Sequence, residues 1–489
     1  MLLHLVAAKP TDSVTLGFLP AAARLGLEVT VLTDQPEAHE RAYAGQAQGE
    51  TAPAGIVRCD VWDMRALIAA MAGLPRPDAV FSNSDHLQVQ TALAAEYFGL
   101  PGKDWRFALR ARNKALMRRR LAETGRERVA ATEIRRGAEP PAGQLGYPLV
   151  LKPSEGVASE DVVLVSDPGE FSARCAEIMS RRPGERLIAE EYLPGTLRTL
   201  ETLSDGATTW VLGGFRTRVS PPPFFIEERL SWDVTLPVGA RRHVLAALRD
   251  LGGPFGACHT ELMLDAEGGP RLVEVNDRVI GDHGDFVLAD LLGIPLFERI
   301  LRVHLGERLP ATAPQASGHA VADYVVADRS GMLASAPRPG SHPVGEPGVR
   351  LTYHPLRPVG DHFTLTHANR DYLGVIRAQG PDPAAVERAV GSFRARGHWD
   401  ILATGAGPSG PGPQGSPAIG SPGGIPPGDA PAGGSGGREA RETSAPLAMP
   451  LRGGLGGREA SAPLASTAPG KALPRVGPCP PRPEQRESR

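Results

Sequence analysis

The first hundred residues restrict the fold more than any other part of the chain. Short apolar runs alternate there with segments of helical period. LLHLVAA (2–8) fits a buried strand, and the next stretch repeats Leu16, Leu19, Ala23 and Leu27 at helical spacing. EVTVLTD (28–34) is a second strand, rich in β-branched residues. IVRCDV (56–61) predicts a third, with a helix over 64–72 behind it. DAVFSNSD (78–85) predicts a fourth, with a helix over 87–98. Such alternation predicts a parallel, doubly wound sheet. Ligands of these sheets sit at the carboxyl ends of the strands. Lys9 and Ser82, Asn83, Ser84 and Asp85 are therefore candidate site residues. No GxGxxG follows the first strand, so a dinucleotide site is not expected.

Charge and composition narrow the classes of function. Lys and Arg total 53 against 55 Asp and Glu, a balance unlike the basic excess of a nucleic-acid binder. No apolar run approaches the roughly 20 residues of a membrane span. The opening ten residues predict no secretory signal. The four cysteines show no CxxC spacing, so neither a disulfide framework nor a Cys-rich zinc site is expected, and a cytoplasmic setting follows. Residues 405–489 hold 19 Gly and 17 Pro in 85 positions and no Phe, Trp or Tyr. A segment so poor in apolar bulk predicts a disordered tail.

Between these ends lie the segments that carry chemistry. RFALRARNKALMRRRLAETG (106–125) predicts one basic helix that stops at Gly125, with Lys114 as a candidate phosphate contact. YPLVLKPSEGVASEDVVLV (147–165) predicts strand, polar turn and strand. Lys152 ends the first strand, and an ammonium there needs an anion to face. The small residues that follow let backbone N–H groups approach phosphate oxygens. RLIAEEYLPG (186–195) is an apolar strand ending in Glu190 and Glu191, which an extended backbone points to opposite faces.

HTELMLDAEGGPRLVEVNDRVIGDH (259–283) is the most informative stretch. It predicts a hairpin with Glu261 on one strand. Glu274 and Asn276 share a face of the other, and alternation extends that face to Arg278. Three oxygen donors on paired strands suit Mg²⁺, and a cation beside them can stabilise phosphate or a developing oxyanion. Gly281 to Asp285 matches no zinc spacing and predicts a substrate loop or helix cap.

Taken in order, these pieces resemble the ATP-grasp superfamily, in particular its carboxylate–amine ligases of the L-amino acid ligase kind. The resemblance covers roughly residues 1–400. It implies a multidomain α/β and α+β protein: a parallel N-terminal domain (1–105), an ATP-grasp domain for nucleotide and Mg²⁺ (106–310), a small β-rich C-terminal cap (311–404) and the tail (405–489). It implies ATP and Mg²⁺ (or Mn²⁺) as cofactors. Lys114 and Lys152 would contact the phosphates, under the loop of Ser154, Gly156 and Ser159. Glu190 would face the adenine amino group, with Glu191 to Leu193 as the adenine hinge. Glu261, Glu274 and Asn276 would hold the metal. Arg278 would face the acyl phosphate, and Arg216 or Arg218 the γ-phosphate.

Three positions depart from the family pattern. Glu160 and Asp161 follow Ser159 where Gly is usual. Leu197 stands where a ribose-binding acid is usual, with Glu201 a substitute. Asp277 stands where Pro is common. The implied reaction joins a small carboxylate to an amine through an acyl phosphate, as in specialised-metabolite or siderophore assembly. Glu227, Asp282 and His283 are candidate substrate residues. A bicarbonate-using carboxylase and a non-catalytic ATP-binding regulator are the alternatives. Nucleic acid and membrane are not expected partners; a homodimer is compatible with the resemblance.

Overall fold

The computed structural model describes residues 1–44, 51–135 and 145–403. The segment 405–489, predicted to be disordered, lies outside the described residues.

The N-terminal alternation folds into four parallel strands in the order Gly55–Arg58, Glu28–Thr33, Leu2–Val6, Ala79–Phe81. The helix predicted after the first strand is divided. A wide π-type turn spans Ser13–Phe18 and an α-helix follows over Leu19–Arg24, with Pro20 in its first turn. Proline has no N–H to donate to the preceding turn, so the regular ladder starts only beyond it. Asp63 opens the helix Met64–Ala72 by accepting from the backbone N–H of Arg65 and Ala66.

The basic segment is also two helices rather than one, Trp105–Arg112 and Lys114–Glu123. Asn113 lies between them in an extended conformation, and its side chain accepts from Leu116 N–H. An asparagine that caps a new helix interrupts the old one. The break puts Lys114 on the first turn of the second helix, where its N–H donates to the Ser154 carbonyl at 3.0 Å.

Three antiparallel sheets complete the frame, the smallest running His362–Phe363, Gly331–Ser335, Asp400–Leu402. A four-stranded sheet runs Ala131–Ile134, Leu187–Glu191, Leu149–Pro153, Val163–Val165. A ten-stranded sheet starts with the predicted hairpin, Pro270–Asn276 beside Gly256–Leu264, and continues through Thr196–Ser204, Phe215–Val219 and Glu227–Trp232. It then passes without interruption into His319–Val326, Tyr372–Gly380, Arg350–Pro355 and Gly340–His342, while the tenth strand, Thr209–Gly213, pairs with Thr196–Ser204 off this path. The boundary expected at 310/311 is thus a boundary in chain order and not in the sheet, since Leu230 pairs with Ala322 across it.

One apolar core joins the N-terminal region to the large sheet, whereas the four-stranded sheet packs its own cluster around Leu149, Leu151 and Phe171. Leu5, Phe18 and Phe81 of the N-terminal region share a cluster with Phe215 and Tyr324 of the large sheet and with Leu288 and Phe297 of the helices Gly284–Leu292 and Leu296–His304. No described helix is long and apolar enough to cross a membrane.

Candidate active site

The strand ends and loops of three of these sheets converge on a cavity of about 1060 Å³. Its floor on one side is a set of paired charges. Lys152, the last-but-one residue of its strand, lies 2.7 Å from Glu190. Arg118 approaches the same carboxylate at 2.8 Å and also donates to the Leu272 carbonyl at 2.6 Å. Burial alone would raise the Glu190 carboxyl, but Arg118 and Lys152 outweigh it and hold it down at about 2. Burial lowers the Lys152 ammonium; Glu190 opposes that effect, and Arg118 and Lys114 add to it. Lys114 reaches Glu274 at 2.8 Å and the Gly156 carbonyl at 3.0 Å. Arg118 was not nominated from the sequence. Its spacing of four from Lys114 puts both on one helix face, a signal hidden while the segment reads as one long helix.

Glu261 and Glu274 are directly opposed in register, and Asn276 Nδ2 lies 3.5 Å from Glu261 Oε1. All three line the cavity. Two carboxylates and an amide oxygen on paired strands are the hard donors that Mg²⁺ takes, so the residues present fit that ion. The strand ends at Asn276, earlier than alternation to Arg278 requires. A tight turn replaces it, with Arg278 N–H donating to the Asn276 carbonyl at 2.8 Å. Arg278 still lines the cavity, fixed by Asp85 at 2.7 Å and the Val279 carbonyl at 2.8 Å. Burial works against its charge, but Asp85 more than compensates and keeps the guanidinium protonated. Asp277 turns away to the buried ammonium of Lys103, 3.0 Å distant.

The loop after Lys152 is held in an uncommon conformation. Ala158, Ser159 and Asp161 all have positive φ, at 57°, 55° and 57°. Non-glycine residues rarely adopt this region, and the cost is offset by tethers. The Ala158 carbonyl accepts from Asn369 N–H at 3.0 Å; Glu160 pairs with Arg370 and, at 2.8 Å, with Arg182; Asp161 lies 2.6 Å from Arg182. Glu160 and Asp161, which depart from the family pattern, are therefore the residues that anchor the loop. Gly156 and Ser159 line the cavity, whereas Ser154 is buried beneath it.

Glu191 and Leu193 line the wall beyond Glu190, with Glu191 accepting from Ala130 N–H at 2.8 Å. Leu197 also lines it. Glu201 does not. It is buried and accepts from His259 Nδ1 at 2.8 Å and from Thr199 at 2.7 Å, which removes it as a ribose contact. His259 lies in the cavity wall with Nε2 3.4 Å from Glu261. Burial would lower its pKa, but Glu201 and Glu261 raise it well above the ordinary 6.5. The sequence reading passed over this histidine, two residues before Glu261 on the same strand face. Arg216 is exposed and absent from the cavity wall, whereas Thr217, Arg218 and Val219 belong to it. A bulge between Arg218 and Val219 breaks the alternation there.

The remaining wall is acidic and aromatic. Glu227 and Asp282 face the cavity, and two stacked rings, Tyr324 and Tyr372, donate to their backbone carbonyls at 2.9 Å (Asp282) and 2.6 Å (Glu227). Burial, and then the charge of Glu261, push the Glu227 carboxyl up to about 8. Burial raises Asp282 as well, against the pull of Arg278. His283 lines the same wall, as do Lys9, Asn83, Ser84 and Asp85 from the carboxyl ends of the parallel sheet; Ser82 does not.

The chain is similar to several known proteins. No family model matches the chain. It is 25% identical over 403 residues to an uncharacterised protein of Sinorhizobium fredii, covering 77% of this chain and 79% of that one. It is 23% identical over 309 residues to dapdiamide A synthase of Enterobacter agglomerans, covering 58% and 70%. It is 30% identical over 243 residues to carnosine synthase 1 of Gallus gallus, covering 44% of this chain but 25% of that one. In structure it resembles the L-amino acid ligase of Bacillus licheniformis, with a TM-score of 0.66 and 22% identity over 82% of this chain and 98% of that one. The chain has the ATP-grasp fold. That likeness is one of fold: 82% of this chain overlays nearly the whole of the ligase.

Proposed function

We propose that the chain uses ATP to activate a small carboxylate and joins it to an amine, releasing ADP and phosphate. The observation that carries this reading is the meeting of Lys114 and Lys152 with Glu261, Glu274 and Asn276 in one cavity that also includes Arg278. Bound Mg²⁺–ATP would supply the transferable phosphoryl group and neutralise its charge. Lys114 and Lys152 would hold the phosphates, with Gly156 and Ser159 over them and Ser154 supporting the loop from below. Glu191 to Leu193 would border the adenine. Glu190 is better read as the anion that positions Lys152 than as an adenine contact, because Arg118 and Lys152 already occupy its oxygens. Glu261, Glu274 and Asn276 would be the metal ligands.

A carboxylate does not react with an amine directly, because its leaving group is too poor. Its oxygen attacks the γ-phosphorus, ADP departs, and the product is an acyl phosphate. The amine then attacks the acyl carbon, phosphate leaves, and a proton leaves the nitrogen. Arg278, locked by Asp85, would face the charge that grows on the phosphoryl and acyl oxygens. Glu227 would take the amine's proton, since its raised pKa matches a base working near neutral pH. A cytoplasmic setting, where ATP and Mg²⁺ are abundant, fits this chemistry.

ADP release measured over paired acids and amines, with the product identified by mass, tests the proposal. Turnover that needs both partners and yields their condensation product supports it. ATP hydrolysis that follows bicarbonate instead, or nucleotide binding with no turnover on any pair, would overturn it.

A further inference from the structure

Three residues from distant parts of the sequence meet at the cavity without a role in the chemistry above: Asp12 and His283 line it, and His354 adjoins them. Asp12 stands before the π-type turn, His283 caps the helix Gly284–Leu292, and His354 lies near the end of the strand Arg350–Pro355. Nε2 of His283 and Nε2 of His354 are each 2.9 Å from the same Asp12 oxygen, Oδ2. The two rings are 4.2 Å apart. The donor atoms of all three lie within 4.8 Å of one another.

This convergence exceeds what a structural hydrogen bond needs. A carboxylate has two oxygens to share between two imidazoles, yet both rings crowd onto one. His283 also reaches the group in a costly way. It is a non-glycine residue at φ 67°, 3% exposed, with Nδ1 buried and unpartnered. Ligand atoms around a tetrahedral Zn²⁺ stand roughly 3.3 Å apart, given bonds of about 2.0–2.1 Å. The observed nitrogen–oxygen separations need only a few tenths of an ångström to match. The side chains of Asp12 and His354 are 40% and 28% exposed, so the group opens on one side.

We propose that Asp12, His283 and His354 form a site for a divalent transition cation of the zinc kind, separate from the oxygen-only set of Glu261, Glu274 and Asn276. Imidazole nitrogen favours zinc-type ions, whereas Mg²⁺ keeps to oxygen, so the two sites would sort different metals. Two histidines and one carboxylate leave a fourth position for an exogenous ligand. In the cavity, the open position suits an amine or carboxylate of the substrate. The cation site stands independently of the ligase reading.

The test uses the full chain, stripped with chelator and titrated with Zn²⁺ under excess Mg²⁺. One Zn²⁺ per chain is expected, with a rise in melting temperature. Co²⁺ in its place should give the visible absorption of a four-coordinate ion with nitrogen ligands. His354→Gln and Asp12→Asn should each weaken Zn²⁺ binding by at least the roughly 10–100-fold that even outer partners of a metal cost. Both residues are partly exposed, so these variants should fold, and a melting curve checks that. Zn²⁺ affinity unchanged in both folded variants, or no such Co²⁺ spectrum from the folded wild-type chain, overturns the site.

Discussion

The two walls of the cavity are built on opposite principles. On the side of Lys152 the strong charges are paired: Lys152 with Glu190, Arg118 with Glu190 and Glu127, Lys114 with Glu274. On the other side Glu227 and Asp282 sit together with raised pKa values, steadied by tyrosine hydroxyls that bond only their backbone. Paired charges hold a fixed geometry before any ligand arrives. Buried acids close to one another hold their protons more tightly than free ones, which suits a wall that must change protonation during a reaction.

The paired wall breaks first at Arg118. Arg118→Met leaves Glu190 and Glu127 short of a buried partner, and the expected loss is about 3–5 kcal/mol of folding stability. Denaturant melts measure it; a loss below 1 kcal/mol would mean that the ion cluster is not structural. Arg278→Lys keeps the charge but loses the planar two-pronged geometry held by Asp85. Turnover should fall by roughly 10²–10³ with ATP affinity little changed. Equal losses in both would make Arg278 a nucleotide contact instead.

Glu274→Gln replaces a proposed metal ligand, and the partner of Lys114, by a neutral amide. The Mg²⁺ concentration for half-maximal activity should rise about tenfold or more, in line with roughly 1.5–3 kcal/mol for a charge-assisted contact. An unchanged Mg²⁺ curve would move the metal elsewhere.

The unpaired wall is tested by pH. Glu227 is raised from 4.5 to about 8, so the folded chain keeps a proton there that the unfolded chain has lost. Stability should therefore fall as pH rises between those values, and turnover should climb through about 8 as the base ionises. Glu227→Gln should flatten both profiles; melting of the metal-free protein and initial rates across this range report them. The smallest effect is expected at exposed Arg216. Arg216→Ala should stay within about 0.5 kcal/mol of wild type in stability and leave turnover unchanged, whereas Arg218→Ala should raise the KM for ATP. A defect in the first and none in the second would reverse their assignment.

The same contrast explains what the sequence disclosed. The hairpin of Glu261, Glu274 and Asn276 was legible because two alternating runs flank a Gly-Gly-Pro turn, although the bulge after Glu261 that sets it opposite Glu274 was not. Lys152 was legible because a lysine closing an apolar strand has little else to face. Arg118 was hidden by a helix break that only the capping side chain of Asn113 announces. Arg216 and Glu201 were misplaced because period two says which residues share a face, not which face meets the cavity. Near Arg218 a bulge removes even that rule. Asp12 and His354 lie 342 positions apart in the chain, and no local pattern foretells their meeting. The parallel sheet followed from its strands, but the continuity of the large sheet past residue 310 depends on pairings between strands distant in sequence.

That continuity has a practical consequence for dissecting the protein. A fragment cut at 310 would leave the strand Glu227–Trp232 without its neighbour, His319–Val326, and turn an interior strand into a bare edge. Such an edge recruits other chains, so recombinant halves of this protein should precipitate or pair with themselves rather than behave as independent modules. Expression boundaries are better drawn past Leu402, the end of the last described strand.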